Sequence, residues 1–196
     1  FHISPNVKER EYLTEDELKA VMTHEFADSK LAYIRDIFIF ASFTALSFVD
    51  IQELTNDNIV EVNGEKWIVS ILHKTKGACH EKPLEIPMQI VVRYRPIHKD
   101  NRIFPDLNYW SICKPLKRMI RECGITKSIS FHCSRHGFAT LALSKGMPIE
   151  SVSRVLGHTN IVTTQLYAKI TTQKLDNDLT MFGDKLSKTF NGITMS

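Results

Sequence analysis

The stretch that most constrains how this chain folds is residues 31–45, LAYIRDIFIFASFTA, where apolar side chains fill most positions without a glycine or proline. Leu31, Ile34, Ile37, Phe38 and Phe43 recur at helical spacing, which predicts a central helix buried on several faces. The rest of the chain must then wrap it. With 196 residues, 43% of them hydrophobic, the chain has enough material for one domain with a substantial core. No apolar run approaches the roughly 20 residues of a membrane span, and no charged leader precedes a hydrophobic stretch. The four cysteines at 79, 113, 123 and 133 form no Cys-x-x-Cys pair, so neither a disulfide framework nor a zinc ribbon is expected and a cytoplasmic location is. A net charge of +3 permits nucleic-acid binding without announcing it, because a clustered basic face counts for more than the total.

In chain order, residues 1–12 are polar, carry Pro5, and read as a linker or the cut end of a longer protein. Thr14 with Glu17 three positions later is a capping-box signature, predicting a helix over 15–24. Residues 48–54 continue helically until Thr55-Asn56-Asp57-Asn58. Strand-like runs at 59–62 and 66–72 flank Asn63-Gly64, a strong hairpin signal. A basic turn, Lys74-Thr75-Lys76-Gly77, follows, and residues 82–87 are expected to return as a third strand. A short helix over 89–94, a loop over 96–107 and a basic amphipathic helix over 109–123, bearing Lys114, Lys117, Arg118 and Arg121, come next; Gly124 ends the last. Helices over 135–144 and 150–156 and a third, capped by Thr159 and carrying Tyr167, complete the core. Leu175, Leu179, Phe182 and Leu186 repeat helically, and 190–196 is a polar tail. The expected fold class is α+β, mainly α: a helical body with a small three-stranded antiparallel sheet.

Residues 131–170 hold the candidate chemistry. Cleaving a phosphodiester without a metal needs a nucleophile, cations for the non-bridging oxygens and a proton for the departing 5′ oxygen. Tyr167 can attack phosphorus, although a phenol with a pKa near 10 needs cationic or hydrogen-bonding neighbours. Arg135 offers a planar fork for two phosphate oxygens. His132, three residues earlier, projects to a similar side of a helical turn, and His158 follows a glycine at a helix end. Singly, each is ordinary: a lone His-x-x-Arg is usually a solvated helix pair and a lone Leu-Gly-His a helix stop. Together, in this order within forty residues, they point to the phosphate-handling end of a DNA strand-transfer site. A metal cluster of Cys79, His80, His132, Cys133 and His136 fits no known ligand spacing.

This region resembles the catalytic core of the tyrosine recombinase (phage integrase) family and is similar to the integrases of conjugative transposons and related mobile elements. The resemblance rests on His132-x-x-Arg135, Leu156-Gly157-His158 and Tyr167 nine residues later, with His136-Gly137-Phe138-Ala139-Thr140 similar to the family's His-Thr-Phe-Ala-Thr. It reaches back to Tyr12-Leu13-Thr14-Glu15, so that 13–189 would be the catalytic domain. It implies a 3′-phosphotyrosine link at Tyr167, phosphate contacts from Arg135 and His132, a hydrogen bond from His158 and a sheet-turn lysine as general acid, with neither metal nor other cofactor. Lys74, in a His-Lys-Thr run similar to the family's, is the first choice for that lysine and Lys76 the alternate. Double-stranded DNA and other protomers of the same protein are the implied partners. The segment from Leu175 to Leu186 resembles the family's C-terminal helix, which docks on a neighbouring protomer; docking on its own core is the other possibility.

One departure stands out. The family's first arginine lies in Thr-Gly-Leu-Arg, whereas this chain has Thr44-Ala45-Leu46-Ser47, so another cation must compensate; His73, Lys76 and Arg35 are the candidates. If none does, the chain is expected to be a DNA-binding accessory protein of the same fold. A type IB topoisomerase-like strand relaxation is a further alternative. The chain is expected to lack the separate N-terminal DNA-binding domain of such recombinases and to bind DNA weakly, as the catalytic part of a longer protein.

Overall fold

The computed structural model describes residues 11–71, 78–81, 84–95, 101–105, 107–167 and 172–189. Its helices are α1 (Glu15–Thr23), α2 (Ser29–Thr44), α3 (Phe48–Gln52), α4 (Glu85–Tyr94), α5 (Tyr109–Glu122), α6 (His132–Ser144), α7 (Ile149–Val155), α8 (Val162–Gln165) and α9 (Thr172–Thr189). The strands β1 (Ile59–Val62), β2 (Glu65–Ile71) and β3 (Ala78–Glu81) form one antiparallel sheet in the order β1-β2-β3.

The apolar stretch is the central helix. Along α2, Leu31, Ile34, Ile37, Phe38, Ile39, Phe40 and Ala41 are all buried, and α1, α4, α5 and α6 pack around it. Phe40 meets Phe104 edge-on at 5.0 Å between ring centroids, and Phe38 meets Phe131 at 6.1 Å. A buried charge is fitted into this body by saturation. The Asp36 carboxylate accepts from Arg35 Nε at 2.8 Å, Arg93 Nη1 at 2.6 Å and the Tyr94 hydroxyl at 2.8 Å, tying α2 to α4. Burial, followed by the hydrogen bond to Asp36, raises the Tyr94 hydroxyl above its ordinary pKa.

Local sequence signals explain most boundaries. Thr14 and Glu17 form the expected capping box on α1, with Thr14 N–H donating to Glu17 Oε2 at 2.7 Å. Asn63 and Gly64 both have positive φ, 55° and 78°, the conformation of a two-residue I′ hairpin, and Val62 pairs with Glu65 across it.

Four boundaries differ from expectation. The third strand is residues 78–81, pairing Ile71 with Ala78 and Ile68 with Glu81, and α4 already begins at Glu85. Pro87 lies in that helix's first turn, where its missing N–H has no intrahelical partner to lose, and it is buried with Ile90 and Val91. Helix α6 starts at His132, because Ser134 turns its hydroxyl back onto Phe131 O at 2.7 Å and Phe131 is buried. Ile161, rather than Thr159, is the N-cap of α8, with Asn160 Oδ1 just before it accepting from Val162 N–H at 2.9 Å, and Tyr167 sits in the turn just after α8.

Beyond the large core, a smaller apolar cluster joins Ala45, Ala139, Leu143, Val152 and Leu156, with Tyr167 packed against it. Helix α6 borders both, through Cys133 on the large core and Ala139 and Leu143 on the small one. Among the described residues, no helix is long and apolar enough to cross a membrane.

Candidate active site

Arg135 lies one turn into α6 and is half-buried. Its Nη1 donates to Ala45 O at 2.8 Å and its Nη2 donates to Leu156 O. Both acceptors cap helices: Ala45 closes α2 and Leu156 closes α7. Helix C-termini carry partial negative charge and carbonyls without intrahelical partners, so a guanidinium is the natural group to satisfy two at once. The arginine therefore fixes three helices at one point.

The turn after α7 delivers the second imidazole. Gly157 has φ 59°, its N–H donates to Arg154 O at 2.9 Å, and His158 N–H donates to Ser153 O at 2.9 Å. This is the paired bonding of a Schellman cap, which needs the left-handed conformation glycine adopts without strain. His158 Nδ1 then lies 2.8 Å from Thr164 Oγ1. Thr164 is fully buried, and its carbonyl accepts from Tyr167 N–H at 3.0 Å. One threonine thus orients the imidazole and anchors the turn bearing the phenol.

The remaining rings form a row. His132, the first residue of α6, is exposed and meets the buried His136 edge-on, 4.7 Å between centroids. His136 in turn lies 5.1 Å from the Tyr167 ring. The structure therefore gathers His132, Arg135, His158 and Tyr167 onto the adjoining ends of α6, α7 and α8. Sequence reasoning gave neither His136 nor Thr164 a role in this site. His136 was visible as part of the His-Gly-Phe-Ala-Thr run; Thr164 had no signal, since its partner lies six residues away across a helix cap.

Ser47 occupies the edge of this site. It caps α3, its hydroxyl donating to Asp50 Oδ2 at 2.5 Å while its Oγ accepts from Asp50 N–H at 3.3 Å. A cavity of about 500 Å³ opens between Ser47, His132 and Arg135. Arg35 does not reach it. That side chain is held by Asp36 and by His24 O, the latter at 2.9 Å, and its position lies about 15 Å along α2 from Ala45. His73, Lys74 and Lys76 fall outside the described residues.

The model of the phage integrase family matches residues 11–174. The chain belongs to the phage integrase family. Among curated relatives, the tyrosine recombinase XerA of Pyrococcus horikoshii is 29% identical over 174 residues, covering 83% of this chain and 58% of the relative. The chain thus spans less than two thirds of that integrase-family relative. Among solved structures, XerA recombinase superposes with a TM-score of 0.70 at 22% identity, covering 91% of this chain and 66% of that one. The Tn1549 transposon integrase in complex with a circular intermediate DNA gives a TM-score of 0.73 at 16% identity, covering 91% and 68%. At these identities the likeness is one of fold, the tyrosine recombinase catalytic fold.

Proposed function

We propose that this chain is the catalytic portion, 13–189, of a site-specific DNA integrase that cuts and rejoins strands through a 3′-phosphotyrosine link, for integration or excision of a mobile element. The row of rings from His132 through His136 to Tyr167, starting one turn from Arg135, carries the reading. Tyr167 gives up its phenolic proton to solvent and attacks phosphorus, forming a new P–O bond as the P–O bond to the 5′ oxygen breaks. Arg135 and His132 hold the non-bridging oxygens, and His158, oriented by Thr164, adds a hydrogen bond. Lys74, or Lys76 in its place, protonates the 5′ oxygen. The phosphotyrosine conserves the bond energy, and attack by a 5′ hydroxyl reseals the strand without ATP or metal.

Residues 1–12 act as a linker and 190–196 as a tail, and the protein works in the cytoplasm on double-stranded DNA with further copies of itself. Lys114, Lys117 and Arg121 on α5 supply phosphate contacts; Arg118 is paired with Asp28 and Glu122. On α9, Leu179 and Phe182 are 59% and 58% exposed and Leu186 39%, giving an apolar stripe to a neighbouring copy.

Ser47 favours a second reading, that of a DNA-binding accessory protein. Its hydroxyl is committed to the Asp50 carboxylate, so the site edge that would benefit from a cation presents a capped acid.

The deciding experiment incubates the protein with a nicked suicide duplex carrying the DNA junction beside its coding sequence, with EDTA present, and looks for a covalent protein–DNA band after denaturation. The proposal expects a band that Tyr167→Phe abolishes. Binding without a band, restored by Ser47→Arg, would establish the accessory reading.

A further inference from the structure

The cavity at Ser47 is lined by more than phosphate-binding groups. Beside Ser47, His132 and Arg135 stand the rings of Tyr109 and Trp110 and the amides of Gln52 and Asn108, around about 500 Å³. That volume is typical of small-molecule sites, which run roughly 300–1,000 Å³. Trp110 is 83% exposed, more than any other large apolar side chain among the described residues. It is nevertheless firmly presented. Its backbone N–H donates to the helix-capping Asn108 Oδ1 at 2.9 Å, and its ring abuts Tyr109 at 6.0 Å. Tyr109 packs on Phe48 at 5.4 Å, and Phe48 on Phe131 at 5.2 Å. A row of aromatic rings thus runs from the residue before His132 to an indole left in solvent.

We propose that this cavity is a nucleotide site: the base next to the scissile phosphate leaves the duplex stack and lies against Trp110, while Arg135 and His132 hold its phosphate. The inference rests on the strand-transfer reading for the identity of that phosphate. A base and its phosphate are joined through one sugar, so their binding groups must line the same cavity, as the aromatic and cationic residues do here. An indole accepts any base face. Although Gln52 Nε2 donates to Leu107 O at 2.6 Å and Asn108 Oδ1 accepts from the Trp110 backbone, Gln52 Oε1 and Asn108 Nδ2 can bond a base edge that unstacking exposes. The serine hydroxyl, turned back onto Asp50, leaves the entrance open where a longer side chain would narrow it.

The test uses junction duplexes with 2-aminopurine placed in turn at each nucleotide flanking the cut. Its fluorescence rises on unstacking. One position should brighten severalfold on binding, and Trp110→Ala should abolish the rise and slow covalent capture roughly tenfold or more, the contribution of one stacked base. Trp110→Phe should retain part of both effects. An abasic nucleotide at that position should erase the difference between the wild type and Trp110→Ala. If no position brightens, or if Trp110→Ala is equally impaired on intact and abasic duplexes, the proposal is overturned; the second outcome would assign the indole to the backbone or to a neighbouring copy. Brightening without any Tyr167-dependent band would overturn the strand-transfer reading and leave the nucleotide site standing.

Discussion

The two apolar clusters of this chain are stabilised by different means. Around α2, large side chains are buried to within a few per cent and aromatic rings interlock, so stability comes from area removed from water and from close packing. Around α7 and α8, the second cluster is smaller among the described residues: five buried residues, with Phe138, Ala142, Met147, Ile149, Val155 and Tyr167 half-buried against them. There, position is set by hydrogen bonds at chain ends: the Arg135 clamp, the Schellman turn and Thr164. The first region resists unfolding, and the second is tuned by single polar atoms. Damage to the first should therefore appear in global stability, and damage to the second in the site.

The sharpest way to break this contrast is Phe40→Ala. Truncating a fully buried ring that packs on Phe104 should cost about 3–5 kcal/mol in urea unfolding, with covalent capture preserved in whatever fraction stays folded. A loss of capture without a shift in the midpoint would erase the distinction.

A gentler probe of the large region is alkaline pH. Tyr94 keeps its proton in the fold beyond its ordinary pKa, through burial and then through Asp36, whereas the unfolded phenol ionises near 10. The stabilisation is complete below about pH 10 and is lost as pH rises through the folded value. Unfolding free energies measured from pH 8 upward should fall more steeply for the wild type than for Tyr94→Phe; equal slopes would remove Tyr94 from the account.

In the second region, Thr164→Val keeps shape but removes the oxygen 2.8 Å from His158 Nδ1. It should cost only about 1 kcal/mol of stability yet reduce the rate of covalent capture about tenfold, by analogy with the loss of an orienting partner behind a histidine. Comparable loss with His158→Ala alone and with the double variant would confirm that the threonine acts through the imidazole.

The smallest effect should come from Ala45→Gly. Ala45 holds φ 56°, a conformation costing a side-chain-bearing residue about 1–2 kcal/mol, but its methyl is buried in the small cluster and contributes about 0.8 kcal/mol. The two nearly cancel, so the midpoint should rise slightly; a clear fall would mean that the methyl's packing outweighs the strain.

The same division governs what could be read from the sequence. Residues 31–45 announced their burial through composition, Thr14 and Glu17 through cap chemistry, and Asn63-Gly64 through the φ values its hairpin needs. His132, Arg135, His158 and Tyr167 were legible as an ordered pattern. The third strand was misplaced because residues 82–87 suit an extended chain locally, while burial of Pro87, Ile90 and Val91 against the core favours a helix. Arg35 was a reasonable cation by type, but Asp36 and His24 claim it, and neither contact leaves a periodic trace. Thr164 was invisible for the same reason.

Under the proposed function, the Arg135 clamp would also make the protein its own gauge of occupancy. The guanidinium offered to an incoming anion is the one that quiets the last carbonyls of α2 and α7, so a phosphate drawing on it shares it with two helix termini. Ser47 and His158 each lie two residues past one of these caps, Ala45 and Leu156. If the site takes the phosphate proposed above, filling it would draw on the backbone that supplies its other walls, and a change of amide exchange around residues 45–47 and 156–158 on adding DNA to the Tyr167→Phe variant would register it.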